Sequence, residues 1–508
     1  MSFRGKKLLM STKIYFFGCR THKKPFKFVN LQKYQSFIKM LQTYTILIIV
    51  FLLGFNLQAQ EKWTLESCIN HAITNNIQIK QQELNTKYYQ NLERQSKFSI
   101  LPNLNTGANQ TYTFGRSIDP YTNEFSTDNF RSNNFSVNSS MTIFGGLQKI
   151  NNVRKSNFDL QASIQDLQKA KNDIALNIAA AYLQVLYNEE MFKAAELQLG
   201  VTKLQHDKTQ RLVEAGSLAK GSLLEVDAQI ASEELQLINL ENQLLISNLT
   251  LKQILDLDSV ANFNIDKPII ENLDGKLIVY SVDQIFNEAI TNLPQIKSAE
   301  YKVKSSEADL CSAKGGMSPR LSLNAGWGTG YSEARTKGQY VPTTVEIGYT
   351  ESGESVFADS YSYVSENYPF SEQFKDNAST SLSFNLSIPI FNNWQVNTNI
   401  SNAKISLLNS KLSLDLTKQQ LYKEIQQAYA DAIAAFRKYN AATKALASIQ
   451  ESFRYTQQKF DVGMVSSFDF NAAKNNLLKA ESDVLQAKYE YVFKSKILDF
   501  YRGDTIKL

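Results

Sequence analysis

WTLESCINHAITNNIQIK, Trp63–Lys80, is written again 217 positions later as YSVDQIFNEAITNLPQIK, Tyr280–Lys297. Eight of the 18 aligned positions are identical, among them Asn70/Asn287, Ala72/Ala289, Asn75/Asn292 and Lys80/Lys297. Pro102/Pro319 and Leu104/Leu321 keep the same offset. Further along the offset grows to 247: MTIFGG (Met141–Gly146) meets IPIFNN (Ile388–Asn393), Ala181-Tyr182 meets Ala428-Tyr429, and Gly216 meets Gly463. KQILD (Lys252–Asp256) then meets SKILD (Ser495–Asp499) at offset 243. A fixed spacing of this kind is the mark of an internal repeat. The reading is a tandem duplication, 60–279 and 280–508. The second copy carries about 30 extra residues between Pro319 and Phe391.

Each copy opens on a helical segment, roughly 63–98 and 281–316. Each then meets a Pro, which lacks a backbone donor and disfavours helix before it. Beyond that Pro the period changes to two. Leu104, Ala108, Tyr112 and Phe114 fall on one face, and Asn103, Asn105, Asn109, Thr111 and Thr113 on the other. Phe135, Val137, Met141 and Ile143 alternate with Ser136, Asn138, Ser140 and Thr142. In the second copy Leu321, Leu323, Ala325 and Trp327, then Leu382, Phe384, Leu386 and Ile388, alternate with small polar residues. Two hairpins are predicted, 103–146 and 320–392, four strands in all. Strands of about 10–13 residues are long enough to cross a bilayer when tilted, and apolar-out, polar-in alternation suits a membrane β-barrel. Alternation alone is equally compatible with a soluble sheet that has one wet face.

After each hairpin comes a long helical run without Pro, at 147–257 and 395–500, each folded back on itself near Gly216 or Gly463. Residues 147–215 alone make a helix of roughly 100 Å at about 1.5 Å per residue. Apolar residues recur at three and four, as in Ile174, Ile178, Ala181, Tyr182, Val185 and in Leu421, Ile425, Ala428, Tyr429, Ala432. Helices of such length need lateral partners.

The net charge of +5 belongs to the N-terminus. Residues 1–59 hold ten Lys/Arg and no Asp/Glu, and without them 44 basic residues face 49 acidic ones. The balance gives no reason to expect nucleic acid. TILIIVFLLGF (Thr45–Phe55) is too short for an ordinary span. It is followed by LQA (Leu57–Ala59), so the segment reads as a signal peptide with Gln60 as the mature start. An uncleaved anchor is the alternative, and Met40 competes as the start codon. Cys68 and Cys311 do not make a disulfide framework. His71 and His206 lack ligand spacing, and no nucleophile or phosphate-loop motif is present. No enzyme, cofactor or metal is expected.

Four strands cannot close a barrel with a lumen, and an open edge in lipid leaves backbone groups unpaired at several kcal/mol each. Two copies give eight strands, whose interior fills with side chains. Three give twelve, an even number in the known range. The Gly, Ser and Asn of the polar face favour the wider lumen, hence a trimer.

The duplicated order of helix, hairpin and long helix pair, with LPNL (Leu101–Leu104), IPIF (Ile388–Phe391) and AY in both long helices, resembles the TolC-type outer-membrane efflux channel family from Trp63 to about Tyr501. The resemblance implies a membrane α+β fold: a homotrimer with a twelve-stranded β-barrel in the outer membrane and an α-helical barrel across the periplasm. A periplasmic adaptor and an inner-membrane pump dock at the far end. Gly216 and Gly463 then become tip turns at the periplasmic entrance. Asp469, six residues after Gly463, falls where the family carries an entrance aspartate. The family's second entrance Asp falls on Ala472, its gate Arg on Val465 and its gate Tyr on Phe460. Ser222 stands at the matching place in the first copy. A closed state held by apolar Phe460 and Val465 is therefore expected in place of an Arg–Asp lock. Asp469 is also read as a helix N-cap, a role compatible with the first. The cargo stays open. A trimeric surface adhesin and a soluble periplasmic coiled-coil adaptor are the rival readings; the first places its strands at one end, and the second lacks them.

Overall fold

The computed structural model describes residues 62–118, 123, 125–127, 129–257, 263–268 and 280–504. The expected signal segment and cleavage point lie outside the described residues. From Trp63 onward the elements belong to one unit. It begins with α1 (Leu65–Asn75) and α2 (Ile77–Phe98). Then come β1 (Asn103–Thr113), the short β2 (Ser117–Ile118) and β3 (Phe125–Ser126), and β4 (Phe130–Gly145). The first long pair is α3 (Gln148–Glu214) and α4 (Lys220–Ile254). The second half repeats the order with α5 (Val282–Asn292), α6 (Pro294–Gly315) and β5 (Arg320–Ser332). It then inserts β6 (Thr336–Tyr349), β7 (Ser355–Asn367) and α7 (Phe370–Asp376) before β8 (Ser379–Ser387), and closes with α8 (Gln395–Asp461) and α9 (Ser467–Arg502).

The opening helical segment of each half is broken in two. Asn76 ends α1 and caps α2, its Oδ1 accepting from the N–H groups of Gln78 and Ile79. In the second half Leu293 takes that place, and Pro294 starts α6 at the position where a missing N–H costs nothing.

One antiparallel sheet runs β1-β4-β5-β8. Its register sorts the side chains. Asn105 faces Asn138, which faces Gly326, which faces Ser381. One residue along, Leu104, Ser139, Ala325 and Leu382 share the other face. A hollow opens on the polar side, lined by Asn103, Asn105, Asn138, Asn324 and Ser381. The apolar side carries Leu104, Leu382, Phe384 and Leu386, all exposed in the single chain. A slip of one residue would exchange the two faces, so the alternation itself pins the register.

β5 runs four residues past the start of β8, and α7 occupies the vacated edge. The buried side-chain amide of Gln373 accepts from the Ser332 N–H at 3.0 Å and donates to the Ser332 carbonyl at 2.9 Å. Asn377 donates to the Gly330 carbonyl at 2.7 Å. The side chains thus imitate a missing strand. Phe374 meets Phe135 and Trp327 edge-on, which seats α7 on the apolar face. The segment read as an enlarged loop is therefore folded: a long hairpin, β6–β7, with a helical clamp at its base.

Below the sheet, α1 and α2 pack Leu65, Cys68, Ala72 and Ile79 against Ile178, Tyr182 and Val185 of α3 and Leu251 of α4. α5 and α6 pack Ile285, Ala289 and Ile296 against Leu421, Ile425 and Ala432 of α8. Tyr182, of the first AY pair, is fully buried and donates its hydroxyl to the Asp266 carbonyl at 2.6 Å, tying the chain after α4 to the bundle. Burial pushes the neighbouring Cys68 thiol up to about 12, so it packs as an inert apolar group. The halves meet where α3 runs beside α6: Lys155 pairs with Asp309 at 2.7 Å, and Ser312 donates to Asn152 at 2.7 Å. At the top of that contact Gly146, with φ +62°, and Gly315 touch backbone to backbone, and a Cβ on either would overlap the other.

Candidate functional site

The two turns joining the long helices are built alike. Gly216 (φ +74°) and Gly463 (φ +76°) both occupy the left-handed region. Each follows its helix with a back-bond pair that satisfies the last carbonyls. Gly216 N–H donates to Val213 O and Ser217 N–H to Leu212 O; Gly463 N–H donates to Phe460 O and Met464 N–H to Lys459 O. This is how a helix ends on a left-handed glycine. After the turn Ala219 precedes α4 and Ser466 precedes α9. Ser222 and Asp469 are each the third residue of the new helix.

Asp469 is not the N-cap. Ser466 holds that position: its Oγ accepts from the Asp469 N–H at 3.1 Å and donates to the Asp469 carboxylate at 2.7 Å. The carboxylate thus sits in the first turn, where the helix dipole favours negative charge, and it is exposed. Phe460 turns inward within its own chain, stacked on buried Phe470 with ring centroids 4.5 Å apart. Val465 and Ser222 are half-buried, and both glycines are exposed.

Contacts that no local pattern announces join the two tips. Lys208 of α3 pairs with Asp461 of α8 at 3.0 Å. Gln229 of α4 donates to Asn475 of α9 at 3.1 Å. Farther from the tips Lys474 of α9 is buried against Glu233 of α4, 3.4 Å away, and against Thr202 of α3, whose hydroxyl also meets Glu233. Gln229 donates a further bond to Glu233 at 2.8 Å. Burial pulls the Lys474 ammonium below the usual lysine range, and Glu233 opposes that shift. Partners 241 residues apart leave no spacing signal, so sequence reasoning missed them.

The flanks of the chain are as telling as its tips. β1 and β8 are the two edge strands of the sheet. Lower down α2 exposes Ile77, Leu84, Tyr88 and Phe98, while α8 exposes Ile405, Leu408, Leu412 and Leu416. α4 exposes Leu235, Ile238, Leu245 and Leu249, spaced by three, seven and four. Such stripes are the seams of coiled coils. Among the described residues no helix is long and apolar enough to cross a membrane, and no group of His, Cys, Asp and Glu could hold a metal ion.

Comparison with known proteins agrees with this architecture. The pyoverdine export outer membrane protein OpmQ of Pseudomonas putida is 25% identical over 215 residues, 42% of this chain and 44% of that protein. The chain thus spans less than half the length of this curated relative. Crystal structures of CusC superpose with a TM-score of 0.70 at 17% identity, covering 87% of this chain and 92% of that one. VceC of Vibrio cholerae gives 0.68 at 14% identity over 87% and 97%. The outer membrane channel CmeC of Campylobacter jejuni gives 0.68 at 17% identity over 86% and 85%. At these identities the likeness is one of fold. The outer membrane efflux protein profile matches residues 68–256 and again 285–503, one block in each half. On that match, the chain belongs to the outer membrane efflux protein family.

Proposed function

We propose that the chain is the outer-membrane duct of a tripartite efflux or secretion system, working as a ring of three identical chains. One observation carries this: both flanks are unfinished, each with an open edge strand and an exposed apolar stripe on its helices, and they differ from each other. β1 and α2 with α4 lie on one side, β8 and α8 on the other. A patch that must meet a different patch on the next copy builds a ring, not a two-fold dimer. Three chains close twelve strands, with Leu104, Leu382 and Phe384 towards lipid and the Asn/Ser face towards water. A duplicated ancestor accounts for the parallel halves, 60–279 and 280–508.

In this reading solutes enter between the helical tips, where an adaptor docks and an inner-membrane pump delivers, and they leave through the barrel. The relative OpmQ exports pyoverdine by its name, and export of a solute is the activity proposed here. Asp469 contributes three carboxylates at the entrance, and β6–β7 stands outside the cell at the pore mouth. Nothing in the reading calls for catalysis. The test is extraction of the outer membrane with gel analysis before and after heating, then planar bilayers. A heat-sensitive species at three chain masses with steady conductance is expected. A monodisperse monomer without conductance overturns the proposal.

A further inference from the structure

The four wall strands hold two charged residues, both arginines, and no acid. The register parts them. Arg131 lies opposite Tyr112 on the apolar face, its guanidinium carbon 5.9 Å from the centroid of the Tyr331 ring. Arg320 opens β5, opposite Gly145 on one side and Ser387 on the other. Alternation puts it in line with Ser322 and Asn324 on the polar face. Its Nη2 donates to the Thr142 hydroxyl at 3.2 Å, and Thr142 faces Ser322 across the strand pair. The partner is neutral and the side chain is exposed. Arg320 is therefore the one charged side chain that these strands contribute to an otherwise amide and hydroxyl wall. It stands at the end of the wall nearest the helices, directly after Pro319.

We propose that Arg320, once per chain, forms a cationic ring where the barrel opens from the helical duct, and that the ring binds and passes anionic groups of the exported solute, carboxylate or phosphate. The inference rests on the ring-shaped duct proposed above. A charge on a low-dielectric wall with no opposite charge among its neighbours focuses potential into the lumen. The planar guanidinium fork matches carboxylate and phosphate oxygens in pairs, which an ammonium does not. Arg320 and Asp469 would then set opposite signs at the two ends of the path.

The experiment is single-channel recording of the full chain in a KCl gradient at low salt, with pyrophosphate as the blocking probe. Arg320→Gln is expected to lower the Cl⁻/K⁺ permeability ratio roughly two- to fivefold and to relieve pyrophosphate block. Arg320→Glu is expected to lower the ratio further. Arg320→Lys keeps the ratio but weakens the block. Arg131→Gln, which removes the same charge from the opposite face, leaves both unchanged. Wild-type-like selectivity and block in Arg320→Gln and Arg320→Glu channels of normal conductance overturn the ring. An equal shift from Arg131→Gln does so too. A wild-type chain that forms no channel instead defeats the duct reading, so the two failures are told apart.

Discussion

At Lys474 the helical bundle accepts a cost that a better-packed apolar contact would avoid. Taking an ammonium and a carboxylate out of water costs several kcal/mol per ion, and removing one partner strands the other. Glu233→Leu should therefore destabilise the chain by about 3–5 kcal/mol, whereas Glu233→Leu with Lys474→Met should recover most of that loss; denaturant melts of the purified protein measure both. The pH dependence follows from the depressed lysine. Between that depressed value and the ordinary lysine value near ~10.4, the unfolded chain holds more protons than the folded one, so stability from this group rises with pH. The double variant should lose that rise. Gly315→Ala is the sharper lesion: its Cβ would collide with the Gly146 backbone, and neither main chain can retreat without parting α3 from α6. Loss of folded protein in the membrane fraction is the expected result. Sequence reasoning finds the tip glycines, because a left-handed turn between two helices demands them. It does not find Ser466 as the cap of α9, since Asp and Ser both suit that role and only the backbone decides. Nor does it find the Lys474 pair, whose burial depends on three helices distant in the chain.

Among the elements, β1, β4, β5 and β8 are legible because one face is uniformly apolar and the other uniformly small and polar. β6 and β7 are not. Gly338, Pro342 and Gly348 interrupt β6, and Tyr lines one face of the pair while Val lines the other, so no single-sided pattern emerges. α7 spans seven residues, fewer than two full turns, too short for a helical period to register. What fixes it is Gln373 acting as a surrogate strand. Gln373→Leu would take from the Ser332 N–H its side-chain acceptor, at about 1–3 kcal/mol, while the Ser332 carbonyl keeps the Arg335 N–H at 3.3 Å; faster proteolysis between 333 and 378, with the rest of the chain intact, is the expected signature. An epitope inserted between Ser352 and Gly353, in the turn of β6–β7, should be reached by antibody on intact cells. A tag that stays hidden until the outer membrane is permeabilised would count against an extracellular hairpin. At the tips, Asp469→Asn should lower cation preference and weaken block by multivalent cations, the effect shrinking as salt rises. Loss of helix stability with unchanged selectivity would reduce the residue to a partner of the Ser466 cap.

The whole molecule is shaped by what it lacks at its sides. A repeated order of elements, long helices and amphipathic strands can be read from one chain, and in the proposed ring the need for neighbours follows from the strand arithmetic. The handedness of assembly does not, because it depends on which strand and which helix end up outermost. With β1, α2 and α4 on one flank and β8 and α8 on the other, each subunit in the proposed ring has one giving side and one receiving side. That has a genetic consequence. An allele altered on a single flank, for instance by charges at Leu408 and Leu412, still offers a sound opposite flank. It would join wild-type subunits and leave their ring unable to close, so it should behave as dominant when both alleles are expressed together. An allele altered on both flanks cannot join at all, and should be recessive.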